Sequence, residues 1–96
     1  SPNASGNNSA EKESYAERKE RMKKISRAEK AVKESENKIE KMEARLKELD
    51  NILCHPENAS DMTIITEYTS TKRALDEEVE KWETLSMQLE EMKSEK

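Results

Sequence analysis

Between Val32 and Leu53, apolar or small residues recur at Val32, Ser35, Ile39, Met42, Leu46, Leu49 and Leu53, in alternating steps of three and four. Almost everything between them is charged. The spacing is a heptad repeat, with Val32, Ile39, Leu46 and Leu53 at a and Ser35, Met42 and Leu49 at d. So narrow a stripe cannot line a broad core. It can bury itself against one other helix, and that partner has to be found in the remaining sequence.

A partner follows a proline. Helix-forming sequence breaks at Leu53-Cys54-His55-Pro56, because proline disfavours helical geometry in the residue before it and cannot continue the ladder. Beyond it runs a second stripe: Ile65, Tyr68, Lys72, Leu75, Val79, Trp82, Leu85, Leu89 and Met92, with one extra three-residue step after Trp82. A short turn forces the two helices antiparallel. Pairing outward from the turn places Leu49 near Ile65, Leu46 near Tyr68, Ile39 near Leu75, Val32 opposite Trp82 and Ile25 opposite Leu89. Ala28 and Ser35 then flank the indole with the small side chains a large one needs.

The ends follow from local chemistry. Ser14-Tyr15-Ala16-Glu17 fits a capping box, so helix 1 is expected over about residues 14–54. A turn of about 55–59 and a helix 2 of about 60–93, capped by Ser60 or Asn58 with Asp61 at its positive end, complete the hairpin. Tyr15 and Met22 sit one position off the seam, the drift of a 3.6-residue helix against a strict heptad. Residues 1–13, small and polar with the only glycine, read as a disordered, flexible linker or an expression remnant. The expected fold is all-α: an antiparallel two-helix coiled coil, monomeric as an isolated domain, with a disordered N-terminal segment. Its core residues are Ile25, Val32, Ile39, Leu46, Leu49, Leu53, Ile65, Tyr68, Leu75, Val79, Trp82 and Leu89.

Composition agrees. Ala, Glu, Lys, Leu and Arg make up about half of the 96 residues, as in long helices. The net charge of −4 gives no electrostatic case for the whole chain as a nucleic-acid binder. Charge is nonetheless divided: Lys12 to Lys33 holds nine basic and four acidic residues, and Asp76 to Glu95 holds eight acidic and two basic. The hairpin lays these segments side by side. No apolar run is long enough for a membrane span, no secretory signal is visible, and the lone Cys54 has no disulfide partner.

No catalytic constellation stands out, so the chain is not expected to be an enzyme or to hold a cofactor or metal. Cys54-His55 lacks the further ligands zinc requires, and His55 suits a helix C-terminus. Carboxylates lie four residues from cations, as in Glu17/Arg21, Glu20/Lys24, Glu29/Lys33, Glu34/Lys38 and Glu43/Lys47, and read as solvated stabilising pairs. Lys19, Lys23, Arg27 and Lys30 share the side of helix 1 away from the seam. They are either a phosphate-binding ridge or a solvated face partly neutralised by the acidic end of helix 2.

Three stretches carry a resemblance: Glu13-Ser14-Tyr15-Ala16-Glu17-Arg18-Lys19-Glu20 opening helix 1, Leu53-Cys54-His55-Pro56 closing it, and Trp82-Glu83-Thr84-Leu85 in helix 2. In this order and spacing they resemble the C-terminal coiled-coil domain of ABC-F proteins of the Uup type, over roughly residues 13–92. The resemblance implies a cytoplasmic parent with two ATPase cassettes on the same polypeptide, which bind ATP and Mg. It also implies contact with DNA, ribosomal RNA or the ribosome. The alternative is a structural spacer or a protein-interaction module.

Overall fold

The computed structural model describes residues 14–94, and the expected linker 1–13 lies outside them. Helix α1 (Tyr15–Leu53, 39 residues) and helix α2 (Met62–Ser94, 33 residues) lie antiparallel, joined by a single 3₁₀ turn (Pro56–Asn58). At about 1.5 Å per residue the helices are roughly 58 and 50 Å long. The Cα cross-section of 15 × 14 Å is that of two helices side by side. The chain is an all-α, two-helix coiled-coil hairpin.

Each boundary has a local cause. At the start of α1, Glu17 N–H donates to Ser14 Oγ (3.1 Å) and Ser14 N–H donates to Glu17 Oε1 (3.0 Å), so both members of the capping box are formed. At its end the Cys54 N–H bifurcates to Asp50 and Asn51 and the His55 N–H reaches Ile52, tightening the last turn before Pro56. Helix α2 is capped by Asp61 rather than by Ser60 or Asn58. Asp61 Oδ1 accepts from Thr63 N–H at 2.9 Å and Ile64 N–H at 3.4 Å, which moves the start of the helix to Met62. The 3₁₀ turn displaces the cap, because it engages the Asn58 and Ala59 N–H groups first and leaves Asp61 at the helix mouth.

The buried residues are Ile25, Leu49, Leu75, Leu89 and Ser35, with Leu49 at 1% exposure and Ser35 at 2%. Val32, Ile39, Leu46, Leu53, Ile65, Tyr68, Val79 and Trp82 are half-buried, as a seam shared by only two helices must leave them. Tyr15 and Met22 are exposed, at 79% and 55%. Tyr15 lies where α1 runs on past the described end of α2, beyond the reach of the described side chains of that helix.

The seam of α2 differs from the expected one. Lys72 is exposed and Thr71 is half-buried, and Glu78 is half-buried beside Val79. The covered side of α2 thus includes Ile64 and Ile65, Tyr68, Thr71, Leu75, Glu78 and Val79, Trp82, Leu85 and Ser86, Leu89 and Met92, with Leu75 and Leu89 buried and Lys72 left out. Thr71 is covered where Lys72 was expected, and Glu78 joins Val79 at the seam. Glu78 is accommodated because Ser35, its counterpart on α1, donates its hydroxyl to Glu78 Oε2 at 2.7 Å.

This contact also changes the setting of Trp82. Ser35 is occupied by Glu78, and Ala28 shares a groove with Leu85. The indole N–H instead donates to Glu36 Oε2 at 3.1 Å, and the ring borders Ile39. Long helical side chains lean toward the N-terminus of their own helix, which for α2 is the turn end, so Trp82 reaches past Val32 to the next turn of α1.

Two stability outcomes follow. Leu49→Ala should cost about 2–5 kcal/mol in chemical denaturation, more than Trp82→Ala, because Leu49 is the more completely enclosed side chain; the reverse order would place the core elsewhere. Ser35→Ala should cost about 1–3 kcal/mol by leaving a half-buried carboxylate unpaired, and adding Glu78→Leu should recover most of it. Failure of the second change to rescue the first would show that the pair is not the source of the loss.

Candidate nucleic-acid interface

Any phosphate-binding surface on this rod depends on which cations are left over after intramolecular pairing. At the turn end, Arg45 is consumed. Its Nε and Nη2 donate to Glu67 Oε2 and Oε1 at 2.7 and 2.9 Å, a two-pronged bond from α1 to α2, and Nη1 donates to Glu48 Oε1 at 3.1 Å. The hydrogen bond from Arg45 lowers the Glu67 carboxyl below its usual range, and the two carboxylates push the guanidinium further from deprotonation. The sequence reading missed this fork because it paired charges along one helix. The visible signal was the antiparallel register, which places Arg45 and Glu67 on the same flank of the seam.

At the open end the arrangement reverses. Lys19, Lys23, Arg27 and Lys30 are all exposed on α1, and none ion-pairs with a described residue. They occupy heptad positions b, f, c and f, over about 16 Å of helix axis. Glu20 remains exposed among them, but two other nearby acids are turned elsewhere. Glu17 closes the capping box, and Glu29 Oε2 lies 3.9 Å from Lys93 Nζ on α2. Arg27 and Lys24 border a shallow groove with Ala28, Leu85, Gln88 and Met92, so Lys24 extends the basic surface onto the flank of the seam. Lys24 was passed over because it is a g position, which lies beside the partner helix rather than opposite it.

Cys54 and His55 are exposed at the turn, and no group of three or more potential metal ligands occurs among the described residues. No helix among them is long and apolar enough to cross a membrane.

Comparison with protein-family models, curated proteins and solved structures gives no match for this chain.

The Arg45–Glu67 fork gives stability a defined pH dependence. Because the folded Glu67 carboxyl titrates lower than the unfolded one, its contribution is complete above the ordinary carboxylate range and is lost as pH falls through the depressed value. Both partners are well exposed, so the effect is small. Glu67→Gln should lower the melting temperature at pH 7 and bring wild type and variant together in acid. A difference that persists below the carboxylate range would assign the loss to something other than this ion pair.

Proposed function

We propose that this hairpin is the C-terminal accessory arm of an ABC-F ATPase and contacts DNA, ribosomal RNA or the ribosome through the outer face of α1. The observation that carries the binding half is the row Lys19, Lys23, Arg27 and Lys30: four exposed cations with no ion-pair partner among the described residues, while Glu17 and Glu29 near them are engaged elsewhere. Such a row binds phosphates through charge, largely independent of sequence. The membership half rests on the resemblance of the Ser14–Glu20, Leu53–Pro56 and Trp82–Leu85 stretches. On this reading ATP, Mg and hydrolysis belong to cassettes elsewhere on the same cytoplasmic polypeptide, and the rod is a spacer that carries its basic face away from them.

A protein-interaction module is the second reading, favoured by exposed Met62 and Met87, each 67% accessible on the outside of α2.

Binding to a structured RNA and to a DNA duplex, followed across a salt titration, tests the first reading. Neutralising about four phosphates implies an affinity loss of about two decades between 50 and 200 mM salt. Reversal of all four residues to Glu should abolish binding. Absence of binding at low salt, or affinity unchanged in the reversed variant, would leave the spacer or protein-docking role.

A further inference from the structure

The largest side chain of the seam is only half-buried. Trp82 borders an open groove of about 310 Å³ together with Ile39, Val79, Glu36 and Glu40. Its indole N–H holds Glu36 through Oε2 at 3.1 Å, which leaves that carboxylate further acceptor capacity beside the ring. Glu40 is exposed and has no cation within ion-pair distance among the described residues.

The surroundings are predominantly acidic. The residues three and four positions from Glu40 on α1 are Glu36, Asn37, Glu43 and Ala44, two acids and no base. On α2 the corresponding neighbours of Val79 are Leu75, Asp76, Trp82 and Glu83, again two acids and no base. The groove thus joins an indole, two aliphatic side chains and a carboxylate rim; Lys33, three residues before Glu36, is the single base at such spacing from a lining residue, and no cation among the described residues lies within ion-pair distance of Glu36 or Glu40.

The geometry points to a docking site for an arginine side chain presented by a partner protein. The methylene stem of arginine suits Ile39 and Val79, and its planar guanidinium both stacks on indole and forks onto carboxylates. The charge excludes nucleic acid from this groove, so the site is independent of the basic ridge on α1.

The chain has one tryptophan, which makes Trp82 fluorescence a direct probe. The full chain is titrated with a short alanine-based helical peptide carrying two arginines one turn apart, and with its glutamine counterpart. The arginine peptide should shift Trp82 emission saturably, and the glutamine peptide should bind about tenfold more weakly or worse. Glu40→Gln, which touches no bond to the indole, should weaken the arginine peptide, and Glu36→Gln with Glu40→Gln should weaken it by about tenfold. Glu90→Gln with Glu91→Gln, the same change of charge away from the groove, should alter affinity by less than about twofold. Several results would overturn the assignment: no saturable response, equal binding of both peptides, no effect of Glu40→Gln, or equal losses in the two double variants. Self-association of the chain that quenches the response would also overturn it, by making a second copy the occupant.

Discussion

Two helices sharing one stripe can enclose only the residues at its centre line, and each layer of the seam therefore has a single neighbour on which to depend. Near the middle of the rod that layer is polar. Ser35, almost fully buried, donates to the half-buried Glu78 across the seam. Sliding one helix by a turn would leave both groups inside the interface without partners, at a cost comparable to a lost core side chain. An apolar seam of Leu, Ile and Val tolerates such a slip far better, because one aliphatic residue replaces another. That hydrogen bond gives the register a constraint that an apolar seam alone does not supply.

The flanks reinforce it. Arg45 meets Glu67 near the turn and Glu29 meets Lys93 near the open end, each across the seam and each consistent with antiparallel pairing. Exposed ion pairs contribute little individually. Their larger consequence is to decide which charges remain for partners. Arg45 is engaged within the rod, whereas Glu17 and Glu29 are held away from the lysines and arginine of the outer face of α1, which leaves Glu20 and Glu34 as the acids beside that row. A thin rod also keeps most of its side chains at the surface, so an acidic chain can present a basic ridge and, elsewhere, an acidic groove at Trp82.

Much of the architecture was legible from residue order alone. The spacing of Val32, Ile39, Leu46 and Leu53 defines a helical stripe through a 3.6-residue period that any reader of the chain can count. The capping box at Ser14 and the stop at Pro56 depend on groups within four residues of one another, so local chemistry sufficed. The basic row on α1 was legible for the same reason: exposure away from a known stripe is a matter of helical phase. What remained hidden were the cross-helix assignments. Hydrophobicity favoured Val79 over Glu78 and made Trp82 the centre of the core, and it offered no reason to link Arg45 with Glu67.

The sequence by itself determined two amphipathic helices, their ends to within about two residues and the antiparallel turn between them, because periodicity, capping and proline sterics act over a few positions along one chain. Only the tertiary structure decided that Glu78 enters the seam, that Trp82 leans out toward Glu36, and that Asp61 caps the second helix. Whether a polar side chain can be buried depends on the donor opposite it, and whether a large one is enclosed depends on the direction in which its own helix tilts it. Those are relations between residues more than forty positions apart, as in Ser35 with Glu78 and Glu36 with Trp82, and no local pattern encodes them.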